Sequence, residues 1–294
     1  MAGRKCIDII VNPAAGSRGS GLFDAVLRRL NDGGAFVRYF DTEGPGHATE
    51  LAARLAHEGH ADVIVAAGGD GTINEVARGL LGHPTPLGIL PLGTANVLAI
   101  EIGQKVKARQ IADTLINGNA KLIGTGLVGG EIFLLMVGAG FDGQVVGAIR
   151  PAMKRRLGKL AFIWEGLKAW ASGPADELDL EVDGVPCRSA WVVVTNARHY
   201  AGPFVLSRTS DVTRPGLEVF LFKRSSRLAF AGYFLGLALG RVVNMPGVTR
   251  INARHVDFKE MSGVPVEVDG DAWGVVPVTI EQGDRFLRLV VPQA

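Results

Sequence analysis

A buried strand that runs directly into a glycine turn and a helix restricts the folding of this chain more than any other feature. Residues 62–66 form an apolar run typical of a parallel strand covered on both faces. The glycine turn 68–72 follows, and a helical pattern then continues through Leu81. Thr72 and Glu75 match a capping box, which predicts that the helix begins just after Thr72. This order of elements predicts an α/β unit.

The glycine turn gathers bare backbone amides at the start of a helix, which favours an anion site. Asp70 lies inside the turn. A carboxylate repels bound phosphate unless a cation separates them, so Asp70 indicates Mg²⁺. The alternative is a tight turn in which Asp70 only caps a helix. The turn alone leaves both interpretations open.

Strand and helix patterns alternate four times in the first part of the chain. This alternation predicts an N-terminal parallel-sheet domain with helices on both faces. The strands are predicted at 6–11, 36–40, 62–66 and 87–90, and the helices at 22–30, 47–58, 72–81, 95–100 and 107–116. Ligands of such sheets bind beyond the carboxyl ends of the strands. We therefore expect the loops 12–16, 68–74 and 93–96, together with Thr42, to line one crevice.

From about residue 123 the helical patterns thin out and short strand-like runs take over. Turn dipeptides such as Asp183-Gly184 separate them, which predicts an antiparallel β-sandwich or barrel-like domain. The predicted strands are 132–137, 178–182, 191–195, 217–222, 255–259, 264–268 and 278–281, with helical insertions at 155–171 and 228–243. The expected domains are 1–122 and 123–285. Whether 286–294 returns to the first domain is left open.

The composition and charge of the chain indicate which binding partners and which cellular location to expect. A net charge of +2 gives no strong field for nucleic acid, so none is expected as a partner. No signal sequence and no apolar run long enough to span a bilayer are found, which predicts a cytoplasmic protein. Basic residues at 151–156 precede a Trp-bearing helix and are either a contact for anionic lipid at the inner membrane face or a solvated flank. A homodimer is left open.

Four segments together resemble the catalytic family of diacylglycerol kinases, which includes bacterial lipid kinases and sphingosine kinases. The segments are Asn-Pro-Ala-Ala-Gly at 12–16, Gly-Gly-Asp-Gly-Thr-Ile-Asn-Glu at 68–75, Leu-Pro-Leu-Gly-Thr-Ala-Asn at 90–96 and Gly-Ala-Gly-Phe-Asp at 138–142. The Gly-Gly-Asp-Gly core also occurs in NAD kinases and phosphofructokinases. The segment at 90–96 is far more specific, and the similarity extends in order over nearly the whole chain.

The resemblance implies an ATP-dependent, Mg²⁺-dependent kinase that phosphorylates a hydroxyl of diacylglycerol or a related lipid at a membrane surface. It implies a nucleotide domain, a β-rich lipid domain and an active site in the cleft between them. Asp70 would serve the metal-bound phosphates. The ATP-binding residues carried over are Asn12, Pro13, Ala14, Ala15, Gly16, Thr42, Gly68, Gly69, Asp70, Gly71, Thr72, Asn74, Gly93 and Thr94.

The catalytic acid of the family lies in a late Asp-Gly-Glu turn, which aligns with Asp269-Gly270-Asp271. A carboxylate near the lipid hydroxyl would accept its proton, and Asp271 is the first candidate and Asp269 the second. The alternative for both residues is an ordinary type I′ hairpin turn, which Asp-Gly strongly favours.

Three departures from the family pattern leave other functions open. Asp271 is one methylene shorter than the usual Glu, and Val97 stands where many members have Asp. Residues 214–218 read Arg-Pro-Gly-Leu-Glu where some members have the Asp-Gly turn of a structural Mg²⁺ site. The alternatives are a kinase of a soluble metabolite such as NAD, or a nucleotide- or lipid-binding regulator without turnover.

Overall fold

The computed structural model describes residues 3–15, 21–149, 159–172, 177–214, 216–259 and 263–293, and within 159–172 it describes the side chains of 164–171. Gly16 and the predicted helical residues 155–158 therefore lie outside the described residues, as does the basic segment 151–156. Two compact units are distinguished, 1–123 with 284–294 and 124–283.

The first unit alternates strands and helices. Its strands are β1 (Cys6–Val11), β2 (Phe36–Asp41), β3 (Val63–Gly68), β4 (Leu87–Pro91) and β5 (Asn119–Ile123), and its helices are α1 (Leu22–Asp32), α2 (His47–Glu58), α3 (Asp70–Leu80), α4 (Val97–Glu101) and α5 (Ala108–Asn117). The final strand of the chain, β20 (Leu287–Val291), lies in the same sheet between β4 and β5.

The described strands of this unit form one sheet in the order β2-β1-β3-β4-β20-β5. Neighbouring strands are parallel from β2 to β20, as expected, but β5 pairs antiparallel with β20. Side chains alternate between the faces along each strand. Ile7 and Ile9 face α1 and α5, and the opposite face is covered by α2 and α3. The predicted α/β domain with helices on both faces is confirmed, with one antiparallel edge strand added.

The second unit is built from short strands with inserted helices. The strands are β6 (Gly126–Val128), β7 (Glu131–Phe133), β8 (Met136–Gly140), β9 (Leu178–Val182), β10 (Val185–Ser189), β11 (Trp191–Thr195), β12 (His199–Tyr200), β13 (Phe204–Val205), β14 (Leu217–Phe222), β15 (Val248–Ala253), β16 (His255–Phe258), β17 (Pro265–Val268), β18 (Asp271–Val275) and β19 (Val278–Gln282). The helices are α6 (Phe141–Ala148), α7 (Lys159–Ser172) and α8 (Arg227–Ala238).

Most of these strands form two antiparallel sheets, β10-β9-β16-β19-β6-β7 and β15-β14-β11-β8-β17-β18. Val128, Leu180 and Phe258 from the first sheet pack against Val194 and Leu221 from the second in one buried core. Each of these two sheets buries one face against the other, and this arrangement confirms the predicted β-sandwich.

Two predicted elements of this unit are wrong in their bounds. The run predicted as one strand at 132–137 is split into β7 and β8, because the amides of Leu134 and Leu135 are turned toward the Asp269 carboxylate. The predicted helix 228–243 ends at Ala238, since Gly240 adopts a left-handed φ of 60° and Arg241 N–H closes onto the Gly236 carbonyl at 2.7 Å. Among the described residues, no helix combines the length and apolarity needed to cross a membrane.

Candidate active site

The predicted phosphate-binding loops begin at one edge of the first sheet. Parallel pairing aligns the carboxyl ends of β1, β3 and β4. The loops remain tied to the strands beside them: Asn12 N–H donates to the Ala67 carbonyl at 3.0 Å, and Leu92 N–H donates to the Gly68 carbonyl at 2.9 Å. Thr42 N–H donates to the Val11 carbonyl at 2.8 Å. Within this unit the structure therefore brings together the loops after β1, β2, β3 and β4.

Two of these loops touch through bare backbone. A Cβ on Gly93 would lie 2.4 Å from Cα of Gly69, and a Cβ on Gly68 would lie 2.4 Å from Oγ1 of Thr72. Neither position accommodates a side chain without displacing backbone or the buried Thr72. Glycine is therefore required at 93 by the close approach of the loops after β3 and β4, and at 68 by the packing of Thr72. Gly71, Thr94, Pro13 and Ala14 remain exposed at this edge.

The predicted capping box is wrong. Helix α3 begins at Asp70, two residues before Thr72, and its N-cap Gly69 is extended. Thr72 Oγ1 instead accepts a hydrogen bond from Nδ2 of Asn12 at 3.1 Å. Glu75 turns to another helix, where its Oε2 accepts from Ala48 N–H at 3.3 Å in the first turn of α2. Instead of capping α3, Thr72 thus joins it to the loop after β1, and Glu75 joins it to α2.

Asp70 caps a helix other than its own. Its Oδ2 accepts from Val97 N–H at 3.1 Å and its Oδ1 from Leu98 N–H at 3.2 Å, at the start of α4. The negative carboxylate lies at the positive end of that helix, where it is stabilised. The capping interpretation of Asp70 is therefore observed, but on α4. Among the described residues no group of three His, Cys, Asp or Glu side chains is arranged to hold a metal ion.

The remaining predicted residues of this edge have local partners. Asn12 Oδ1 accepts from Ala14 N–H at 2.9 Å, which fixes the turn after β1. Ala15 N–H donates to the Asn12 carbonyl at 3.1 Å. Asn74 is buried, and its Oδ1 accepts from Nε of Arg78 on the next turn of α3 at 2.8 Å. The Asn74 side chain therefore stabilises α3 by binding Arg78 one turn further along the helix.

In the second unit Asp269 and Gly270 form a two-residue hairpin turn. Both have left-handed φ angles, 51° and 87°, and Val268 pairs with Asp271 across the turn. These angles match the type I′ turn that the Asp-Gly pair favours. Asp183-Gly184 forms the same kind of turn between β9 and β10, with φ angles of 48° and 80°.

The two candidate bases differ in their surroundings. Asp269 accepts three backbone hydrogen bonds, from Leu134 N–H at 2.8 Å and from the N–H groups of Leu135 and Met136, both at 2.9 Å. Its carboxylate thereby holds the break between β7 and β8. Asp271 is exposed at the start of β18. The structure thus gives Asp269 a structural role and leaves Asp271 accessible to solvent.

A buried acidic cluster lies behind this hairpin. Asp142 on α6 and Glu267 on β17 are 5% and 3% exposed. The hydroxyl of Tyr200 donates to Asp142 Oδ1, and Glu267 Oε2 accepts from Gly270 N–H at 2.8 Å. Within the described residues, Asp142 Oδ2 has no hydrogen-bond partner of acceptable geometry.

Burial dominates the protonation of this cluster. It raises the pKa of Asp142 to about 6, against the opposing effect of the hydrogen bond from Tyr200 and of the nearby Trp191 indole. Burial, followed by the charge of Asp142, raises the pKa of Glu267 well above its usual range. The pKa of Tyr200 is also raised, first by burial and then by Asp142. Desolvation penalises the ionised form of each group.

Asp142 was noted in the sequence only as the end of the family segment 138–142, and Glu267 and Tyr200 were missed. One signal was available for Glu267, because it is a lone acid inside the otherwise apolar strand 264–268. Nothing in the sequence pairs Tyr200 with Asp142.

Glu218, from the segment compared with a structural Mg²⁺ site, belongs to a network of hydroxyl groups. Both oxygens of the buried Glu218 accept hydroxyl hydrogen bonds, from Ser207 at 2.6 Å and Thr209 at 2.5 Å. Arg250 Nη1 donates to the same Thr209 hydroxyl at 2.6 Å. Glu218 is therefore surrounded by protein donors.

Comparison with known proteins agrees with this architecture. Residues 7–128 match the model of the diacylglycerol kinase catalytic domain, and residues 135–293 match that of the YegS C-terminal NAD kinase beta sandwich-like domain. A diacylglycerol kinase of Bacillus subtilis strain 168 is 28% identical, over 97% of this chain and 96% of its own. A diacylglycerol kinase of Staphylococcus aureus strain RF122 is 27% identical, over 98% and 93%.

A solved structure from Bacillus anthracis strain Sterne, proposed to be a diacylglycerol kinase, shares the fold. Its TM-score is 0.81 at 21% identity, and the match covers 99% of this chain and 96% of that one. The two domain models cover the glycine turn, the Asp-Gly hairpin and nearly all the sequence between them. The chain belongs to the diacylglycerol kinase family of lipid kinases, with a C-terminal sandwich of the YegS type.

Proposed function

We propose that this protein transfers the γ-phosphate of ATP to a hydroxyl of diacylglycerol or a related lipid. The observation that carries the proposal is the joining of the loops after β1, β3 and β4 at one sheet edge, in a chain of this family. Phosphoryl transfer depends mainly on positioning and on neutralising charge.

The triphosphate binds at the start of α3. The first N–H groups of a helix have no intrahelical acceptor, so those of Gly71 and Thr72 serve as anion donors. Asn12 positions Thr72 through its side-chain amide, and the Gly69–Gly93 contact keeps side chains out of the phosphate path. Exposed Thr94 supplies a hydroxyl from the adjacent loop.

Mg²⁺ neutralises the developing charge on the phosphates when it is bound. The described residues fit an ion held chiefly by phosphate oxygens and water, with Asp70 as a carboxylate neighbour. Each Asp70 oxygen accepts a backbone hydrogen bond from the start of α4. Asp70 would therefore hold α4 in place and supply a negative charge beside the phosphates and the ion.

Asp271 acts as the general base that accepts the proton of the lipid hydroxyl. Its exposure supports this role, whereas the three amides bound by Asp269 argue for a structural role of that residue. The Asp271 side chain is one methylene shorter than the Glu usual in the family, so the lipid hydroxyl must come closer to the protein backbone. We expect this difference to affect which lipids are accepted.

The proposal is tested with γ-labelled Mg-ATP and a panel of acceptors in mixed micelles: diacylglycerol, monoacylglycerol, sphingosine, ceramide, phosphatidylglycerol and, in solution, NAD. Wild type is compared with Asp271→Asn and Asp70→Asn, and Glu177→Gln serves as an exposed acidic control in the second unit. We expect one labelled lipid, strongly reduced in both site variants and unchanged in the control. Labelled NAD without labelled lipid, or ATP binding without any transfer, would contradict the proposal.

A further inference from the structure

Helix α8 is apolar on every side although part of it faces solvent. Its buried face carries Phe230, Tyr233 and Leu237. The Phe230 ring stacks on Trp191 of β11, and the Tyr233 ring meets Phe222 of β14 edge-on. The opposite face carries an exposed stripe whose members recur at helical spacing. This stripe comprises Leu228, Leu235 and Leu239, which are 88%, 58% and 61% exposed. An apolar face of this kind marks an interaction surface.

Helix α7 meets the start of α8 and presents exposed apolar side chains of its own. Trp164 and Leu167 are each more than half exposed, and Lys168 Nζ lies 5.5 Å from the centre of the Trp164 ring. The two helices are joined directly, since Trp170 Nε1 donates to the Arg227 carbonyl at 2.9 Å and Arg227 Nη2 donates to the Ala171 carbonyl at 2.5 Å. We call the exposed apolar side chains of α7, of α8 and of the C-cap of α8 the apolar patch: Trp164, Leu167, Leu228, Leu235 and Leu239.

The charges that flank α8 have one sign, whereas on α7 Lys168 pairs with the buried Glu165 at 2.8 Å. Residues 219–256 contain six Lys and Arg and no Asp or Glu. Lys223, Arg224 and Arg227 are exposed before or at the start of α8, and Arg241 is exposed just after its end. Cations beside exposed Leu and Trp match the chemistry of an anionic lipid surface, where apolar side chains enter the acyl boundary and cations meet the headgroups.

We infer that the apolar patch docks this protein on an anionic membrane surface. A second copy of the chain fits the patch poorly, because a two-fold contact through α8 would bring the Arg227 and Arg241 side chains of both copies into one interface. Docking goes beyond the proposed transfer reaction, since it needs neither ATP nor the acceptor hydroxyl. It would deliver the protein to the surface in which its lipid substrate resides.

The test is co-sedimentation with vesicles of phosphatidylcholine alone or mixed with phosphatidylglycerol, without nucleotide. The patch variant is Leu228→Ser with Leu239→Ser. The matched control is Leu122→Ser, which changes a 55% exposed leucine of the first unit. We expect wild type and control to bind the anionic vesicles, more weakly at high salt, and the patch variant to lose about tenfold or more in affinity.

An assay with a soluble substrate distinguishes a failure of membrane docking from a failure of the proposed kinase reaction. With a short-chain diacylglycerol dissolved as monomer, wild type and patch variant should turn over equally, because the patch lies outside the phosphate and base machinery. Equal vesicle binding by wild type and patch variant would overturn the inference. So would a wild-type dimer in sedimentation equilibrium that dissociates in the patch variant, since the patch would then bind a second copy.

Discussion

The carboxyl groups of Asp142 and Glu267 converge on one side of Gly138. A Cβ at Gly138 would lie 2.7 Å from Oδ2 of Asp142 and 2.7 Å from Oε1 of Glu267. Ionising both of two buried carboxylates this close carries a large electrostatic cost, which favours a proton shared between them. Glu267 also binds the amide of Gly270, one residue before Asp271. Glu267 therefore holds the hairpin that carries the proposed base.

This pair predicts how stability depends on pH. The folded pKa values of both acids are raised, to about 6 for Asp142. Above about pH 4 the folded state therefore binds more protons than the unfolded state, and stability falls as the pH rises through the folded values. Glu267→Gln removes one of these acids while its amide oxygen still accepts from Gly270 N–H and its NH₂ can donate to Asp142.

We expect the melting temperature of Glu267→Gln to fall less than that of wild type between about pH 5 and about pH 8.5, measured by calorimetry. Glu177→Gln, an exposed substitution, should follow the wild-type curve. If the Glu267→Gln and wild-type curves are parallel over this range, the pair does not share a proton.

Replacing Asp269 should affect folding. Asp269→Asn leaves one side-chain oxygen for three backbone N–H groups, and we expect the free energy of unfolding to fall by about 3 kcal/mol. Denaturant unfolding measures this loss. Asp271→Asn is the matched control because it changes the exposed acid of the same turn. Equal stability of the two variants would contradict the structural role of Asp269.

Replacing Asp271 should affect turnover instead. Asp271→Asn removes the base and should lower kcat by about 10²- to 10⁴-fold while ATP affinity and the melting temperature stay near wild type. Asp271→Glu keeps the carboxylate and restores the chain length usual in the family, so it should retain much of the activity. Initial rates and ATP titration separate these effects. Full activity in Asp271→Asn would exclude Asp271 as the base.

The contact between Gly69 and Gly93 predicts that a side chain at position 93 will weaken ATP binding. Gly93→Ala places a Cβ 2.4 Å from Gly69 Cα, so one of the two loops must move. We expect ATP affinity to fall by about tenfold or more, with a stability loss of about 2 kcal/mol. Gly147→Ala on α6 meets nothing within 4 Å and is the control. Unchanged ATP affinity in Gly93→Ala would show that the phosphates do not bind at this edge.

The position of the loops was predictable from the sequence because it follows from local rules. Parallel strands align their carboxyl ends, so the turns after Val11, Gly68 and Pro91 had to share an edge. The partners of individual side chains were not predictable. Glu75 fits a capping box locally, yet it binds Ala48, and Asp70 binds Val97 and Leu98.

Long-range partners explain most of the remaining differences. Asp269 breaks a predicted strand by binding Leu134, 135 positions earlier, and no local pattern signals that contact. The burial of Asp142 against Glu267 likewise depends on α6 packing on β17. The Asp-Gly hairpin itself was predictable, since its φ angles are the ones that the dipeptide favours.

The most direct test of the central claim is the transfer of γ-labelled phosphate from Mg-ATP to diacylglycerol in mixed micelles by wild type and Asp271→Asn. We expect labelled phosphatidate with wild type and a rate lower by about 10²-fold or more with the variant. Equal labelling with both proteins would exclude Asp271 as the base. Wild-type protein that binds ATP but labels neither diacylglycerol nor any other lipid hydroxyl would exclude the proposed lipid kinase reaction.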